Sequence, residues 1–283
     1  MMQYATTLSA TGHGMEERVK DAFAFVETLF PSMSAFDYAL PTARQRFDET
    51  KGMDKQYLAH EYFNKDWEPC SFSAMNDWLS QAKLSYACSA HLMENLDVVT
   101  LTKEQQNVVN AIKDPVLQQQ VRDFMVNRQF RRDYWVKGLR QVFVDDAIRE
   151  LQVILTTPCA DVPKEINCPQ GKICLNQELL DAILAVLQDH LPHPIAELER
   201  TITKHSLPIL WQTIGILAGA RHIHPAVDCV RLEEQTRSKL LNRKIVRLPE
   251  TVTFCASPRI GGGIAVSGIE QLFLDVETKH AWD

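Results

Sequence analysis

Tyr57, His60, Glu61 and Asn64 stand three and four residues apart, so on a helix they share one face. A histidine beside a carboxylate and an amide could act as a general base with an orienting group. The blander reading is a covered hydrogen-bond network that fixes helix packing, because buried His, Glu and Asn must find partners. No nucleophile or ligand set stands nearby, and Asn64 occupies the place of the second histidine in a metalloprotease helix. Trp67 and Pro69 close the segment. A network outweighs catalysis here, with contact to a partner as the remaining option.

A second dense segment runs from Asp123 to Asp133. Arg128, Arg131 and Arg132 lie close to Asp123 and Asp133, and guanidinium forks pair bidentately with carboxylates. Internal salt bridges are the default expectation. The sharper one is an arginine that faces outward to dock an acidic surface. Phe130, Tyr134 and Trp135 beside these charges are expected in the core.

Other motifs fall to simple tests. Gly261-Gly262-Gly263 with Gly268 could form an anion nest, but neither an apolar strand nor a capped helix flanks it at dinucleotide-loop spacing. Gly12-His13-Gly14 fails likewise, and both read as turns. Neither a P-loop nor G-x-S-x-G is present. His190 with His193, and His222 with His224, have no cysteine partners at zinc-finger spacing. The seven cysteines are odd in number and include no C-x-x-C, which fits free thiols in a reducing cytoplasm.

The elements that must position these residues come from a chain of 283 residues, 45% hydrophobic and 23% charged, as expected of a globular cytoplasmic protein. A net charge of −6 argues against nucleic acid, and no apolar run is long enough to cross a membrane. A helical stripe of Val19, Ala22, Phe23, Val26 and Phe30 stops at Pro31. Asp54 caps the helix that carries His60; Ser71 or Ser73 opens another with Met75, Trp78, Leu79 and Ala82 on one face. Thr102 and Gln105 form a capping box, and Asp114-Pro115 starts the helix that leads to Asp123. Leu151 to Thr156 reads as a strand, and Asp161 to Leu175 as two short strands around Pro169-Gln170-Gly171-Lys172. Helices after Asn176, His193 and Ser206, followed by strand-like Arg221 to Ile223, suggest a winged-helix-like unit. Six acidic residues (Glu178, Asp181, Asp189, Glu197, Glu199, Asp228) against four basic ones (Arg200, Lys204, Arg221, Arg231) suit protein docking better than DNA.

Together, Tyr57 to Pro69 and Asp123 to Asp133 resemble the methyltransferase regulatory domain family. Ala82 to Tyr86, His91 to Asp97, Ala160 to Pro163 and Ala256 to Gly261 are also similar to it. Met1 to Ala5 resembles the point just after the catalytic half in full-length bacterial relatives. Those relatives pair this module with an S-adenosylmethionine domain, and some methylate protein lysines. The family's glycine-bearing strand-loop-helix for the cofactor has no counterpart here. The resemblance implies an accessory part without cofactor of its own, S-adenosylmethionine being held by a catalytic domain outside this chain.

The expected fold is mainly α with minor β. A helical regulatory domain over 1–150 precedes a winged-helix-like domain over 151–226 and an α/β tail over 227–283. The expected function is a non-catalytic regulatory and substrate-docking module. Its partners would be a methyltransferase catalytic domain or subunit and a protein substrate, with a homodimer possible. The alternatives are a stand-alone winged-helix transcription regulator and a protein-interaction scaffold. Tyr57, His60, Glu61, Asn64, Trp67, Pro69, Asp123, Arg128, Phe130, Arg131, Arg132 and Asp133 are the structural or partner-binding residues. No catalytic, cofactor or metal residue is assigned.

Overall fold

The computed structural model describes residues 2–8, 12–32, 34–64, 66, 68–138, 144–168, 171–227, 229–248 and 252–280. It divides into two compact units, Met1–Ser71 and Phe72–Asp283. The described residues are mainly helical, with four small antiparallel sheets. No described helix is long and apolar enough to cross a membrane.

The first unit holds α1 (Met2–Leu8), α2 (Met15–Leu29), α3 (Ser34–Ala39), α4 (Ala43–Lys51) and α5 (Lys55–Glu61). The stripe on α2 buries Val19, Ala22, Phe23 and Val26, and Phe30 continues it in a short 3-10 turn at Pro31. Phe47 from α4 and Phe63 after α5 complete the core. The ring of Phe47 lies 5.2 Å from Phe23 and 5.0 Å from Phe30, and Phe63 stands edge-on to Phe23 at 6.0 Å. Asp54 caps α5 as expected, accepting the Tyr57 N–H at 2.8 Å.

The second unit opens with α6 (Phe72–Gln81) and β1 (Leu84–Ser89), joined by a turn in which Lys83 has φ +61°. After α7 (Asp97–Thr100), α8 (Lys103–Ala111) and α9 (Pro115–Met125), β2 (Asp133–Lys137) returns to pair antiparallel with β1. Tyr86 sits opposite Trp135, with a bulge at Tyr86 and Cys88. The Thr102–Gln105 capping box and the Asp114 cap ahead of Pro115 are both formed. On α6 the covered residue is Phe72, whereas Trp78, expected on the packed face, is 53% exposed.

Then follow α10 (Val144–Glu150), β3 (Gln152–Leu155), β4 (Glu165–Cys168), β5 (Gly171–Cys174) and α11 (Gln177–Leu187). Next come β6 (His193–Pro194), α12 (Ile195–Thr201), α13 (Leu207–Gly219) and β7 (Ile223–Ala226). The hairpin β4–β5 is the expected pair of short strands, although Pro169 and Gln170 of its turn lie outside the described residues. Strand β3 lies between β6 and β7, all antiparallel. Val153, Leu155 and Ile223 join Leu180, Ile183, Leu198, Leu210, Ile214 and Leu217 in the main core. Val99 of α7 is fully buried in the same cluster, so the 92–100 segment is welded to the helices that follow it much later in the chain.

The tail is more regular than its sequence suggests. It forms α14 (Leu232–Ile245), the antiparallel pair β8 (Phe254–Ser257) and β9 (Gly262–Ala265), and α15 (Gly268–His280). Gly261 turns at φ +65° between the strands, as a glycine turn should. Asn242 of α14 clasps β8: it donates to Ala256 O at 2.9 Å and accepts the Ala256 N–H at 2.7 Å.

Candidate functional site

Helix α9 ends in a way that brings its charges together. Asn127 takes a left-handed conformation at φ +47°, the Arg128 N–H bonds Asp123 O at 2.9 Å, and the Asn127 N–H bonds Phe124 O at 3.3 Å. This Schellman closure folds the chain back over the last turn. Arg128 and Arg131 are thereby placed around Asp123.

Arg131 is saturated. Its Nε donates to Asp133 Oδ2 at 2.7 Å, Nη1 to Asp123 Oδ1 at 2.7 Å, and Nη2 to Gln119 at 3.1 Å. Its guanidinium also lies 4.4 Å from the centre of the Phe72 ring and 5.5 Å from that of Tyr86. Phe72 is 5.1 Å from Tyr86 and stacks on Trp135 at 5.6 Å. Burial opposes the charge on Arg131, but the bonds to Asp133 and Asp123 outweigh it and hold its pKa above the ordinary value. Burial likewise pushes the Tyr86 hydroxyl up. Neither group is poised for proton transfer near neutral pH.

The 89–100 segment supplies the outer carboxylates. Ser89 donates to Glu94 at 2.5 Å, and Asn95 exchanges hydrogen bonds with the Ser89 backbone at 3.0 and 2.9 Å. Glu94 then takes Arg128, and Asp97 takes Arg122 in a two-pronged pair at 2.5 and 2.8 Å. Arg128 and Arg131 thus share Asp123 and reach Glu94 and Asp133, and the Arg122–Asp97 pair is separate from them. The three arginines with Glu94 and Asp97 line a polar cavity of about 190 Å³. Arg122, Glu94 and Asp97 belong to this lattice although nothing in their spacing announced it. Their pairs span 25 and 34 residues.

Arg128, Arg131, Asp123 and Asp133 therefore form the internal salt bridges that their types suggested. Arg132 does not join them; its side chain is exposed. Phe130 and Tyr134 are not in the core either, being 67% and 60% exposed. The cause is extended backbone, along which successive side chains alternate in direction. Arg131, Asp133 and Trp135 turn inward, so Phe130, Arg132 and Tyr134 turn outward.

The first motif is arranged differently. Leu58, Ala59 and Phe63 are buried, but Tyr57, His60, Glu61, Asn64 and Pro69 are all exposed. No hydrogen bond joins His60, Glu61 and Asn64 to one another among the described residues, so the expected network is absent there; Asn64 instead accepts the Asp66 N–H at 3.0 Å. Exposed helical positions leave these polar groups satisfied by water, which removes the need for a network. Trp67 lies outside the described residues.

Of the histidine pairs, His193 is held between Asp189 at 3.0 Å and Glu197 at 3.1 Å, and His222 meets Thr157 at 3.0 Å. Among the described residues no group of three or more His, Cys, Asp or Glu is placed to hold a metal.

The lattice and the α5 segment fall inside one region with known relatives. Residues 54–137 match the predicted methyltransferase regulatory domain family. A Synechocystis protein, sll1526, is 30% identical over 266 residues, covering 91% of this chain and 52% of that protein. In fold, the chain is similar to PKMT2 from Rickettsia typhi, both in complex with AdoHcy and alone. The TM-score is 0.58 in each case, at 15% and 14% identity, with 98% and 97% of this chain covered. The chain spans 59% of those Rickettsia chains and about half of the Synechocystis protein. A methyltransferase-associated role is supported by the family match, and the likeness to the Rickettsia chains is one of fold.

Proposed function

We propose that this chain is the regulatory and substrate-docking part of an S-adenosylmethionine-dependent methyltransferase. The observation that carries the reading is the outward row Phe130, Arg132 and Tyr134 on the rigid lattice within the matched domain. Aromatic residues and arginine are the types that anchor interfaces, and a framework in which Arg128 and Arg131 share Asp123 holds them with little further ordering cost. The lattice pairs each of its arginines with a carboxylate of the same chain, which suits a positioning role.

On this reading the methyl donor binds to a catalytic domain or subunit outside the chain, and the acceptor is a protein. The PKMT2 structure in complex with AdoHcy fits such a pairing, because that chain is longer than the part matched here. The three helices α11 to α13 with the β6-β3-β7 sheet would serve as a winged-helix-like docking surface. Their acidic bias suits a protein partner better than nucleic acid.

The test is affinity purification from the native host with the chain as bait. A co-purifying methyltransferase is expected, and Phe130→Ala with Arg132→Glu and Tyr134→Ala should release it while the far-UV spectrum stays unchanged. Micromolar binding of S-adenosylmethionine to the chain alone, measured by calorimetry, would overturn the reading.

A further inference from the structure

The first unit contains a cleft that the docking role does not use. It has a volume of about 410 Å³ and is walled by Phe36, Phe47, Tyr62 and Phe63, with Arg46 and Thr50 at its edge. Ligand pockets run from about 300 to 1,000 Å³ and are mostly apolar with a few fixed polar groups. Phe47 and Phe63 both pack against the Phe23 ring, so these walls keep their shape.

Among the described residues that line the cleft the charge is one-sided: Arg46 is the single charged one. Among the described residues the Arg46 guanidinium has no ion pair, whereas Arg44 lies over the Phe30 ring at 5.1 Å and Lys51 pairs with Glu27 at 2.5 Å. Glu49 on the same helix takes Gln45 at 2.8 Å, and Asp48, two residues from Arg46, points to another side of the helix. A cation entering the cleft would meet Arg46, and an anion would be complemented.

The polar groups at the edge also restrict the occupant. The Thr50 hydroxyl is spent on Arg46 O at 2.7 Å, and the Gln3 amide donates to Tyr62 O at 3.0 Å. An extended peptide would bring more amide groups than these few edge groups can pair, at a cost of about 1–3 kcal/mol for each one left unpaired. A molecule with an apolar body and one anionic head incurs no such cost.

We propose that this cleft binds a small amphipathic carboxylic acid, with its acyl or aryl body against Phe36, Phe47 and Phe63 and its carboxylate on Arg46. The site is independent of the methyltransferase-associated role. It adds a small-molecule input in the first unit.

Decanoate and decylamine, matched in length and opposite in charge, are the probes for calorimetry with the full chain. Decanoate should bind saturably with one site per chain, and at least tenfold more weakly to Arg46→Glu. Phe36→Ala should weaken it too, and both side chains are exposed enough for the variants to fold, which a far-UV spectrum checks. Displacement of the aryl sulfonate dye 1-anilinonaphthalene-8-sulfonate by decanoate gives a second readout. The proposal is overturned by equal affinity for decylamine, by decanoate binding that Arg46→Glu leaves unchanged, or by no saturable binding of either.

Discussion

Met93 lies directly against Gly219, the last residue of α13. A β-carbon at 219 would collide with Met93 Cγ and stand 3.2 Å from the Met93 backbone nitrogen. One turn earlier, a β-carbon at Gly215 would touch Leu96 at 3.4 Å. Glycines on this face let the 92–96 segment approach the helix backbone. That segment has two faces: Met93 and Leu96 pack on the main core, while Glu94 holds Arg128. The arginine lattice and the helical core are thereby tied through a few residues.

Gly219→Ala is therefore expected to lose stability. Relief of glycine's helix penalty, up to about 1 kcal/mol, works in its favour, but overpacking against Met93 costs about 1–3 kcal/mol. Urea unfolding should show a lower midpoint at unchanged slope. In a double-mutant cycle, Met93→Ala should absorb part of the loss, because the two sites touch. A Gly219→Ala variant as stable as the parent would mean the segment can shift freely.

Arg131→Ala should be among the most damaging single changes in the lattice. It leaves Asp133 covered without its counter-charge and Asp123 with Arg128 alone, and breaking a covered pair in this way costs up to about 3–5 kcal/mol. Arg131→Lys should rescue little, since an ammonium cannot serve both carboxylates and lie flat over Phe72. Chemical denaturation of the two variants checks this; full recovery with lysine would show that charge alone matters.

Substitutions on the exposed face of α5 and at Asn64 beyond its end should behave in the opposite manner. His60→Ala, Glu61→Ala and Asn64→Ala are expected within about 0.5 kcal/mol of the parent, because none is buried. Asp54→Ala, which removes the cap on Tyr57 N–H, should cost about 1 kcal/mol. Thermal melts compare the four. If the exposed three also release the co-purifying partner, α5 contributes to docking as well.

Local rules carried much of the fold. The caps at Asp54, Thr102, Asp114 and Asn176 each accept the expected backbone N–H, and the α2 stripe is buried as its period requires. These signals need only three to seven neighbouring residues. The β1–β2 pairing was not legible, because Ser85 meets Val136 and no local turn joins them. Asp97 with Arg122 is hidden for the same reason. Phe130 and Tyr134 misled through their apolarity, although the alternation from Phe130 to Trp135 is a signal that could have placed them outside. The tail helices were obscured by charge: α14 carries so few buried residues that its periodicity is weak.

His193 supplies a dependence on pH. Its two ring nitrogens face carboxylates of Asp189 and Glu197, and a neutral ring has only one N–H to give. Burial opposes its charge, but the hydrogen bonds to Asp189 and Glu197 prevail and its pKa stands above the ordinary histidine value. A raised folded-state pKa means the stabilisation is complete below the unfolded pKa of about 6.5 and fades as pH climbs through the folded one. Unfolding midpoints taken between about pH 6 and pH 8.5 should fall for the parent relative to His193→Gln, whose amide does not titrate. Proton NMR of the His193 ring should place its midpoint above that of an ordinary exposed histidine. A midpoint at or below the ordinary value, or parallel stability curves for the two proteins, would show that the clasp does not depend on the charged ring.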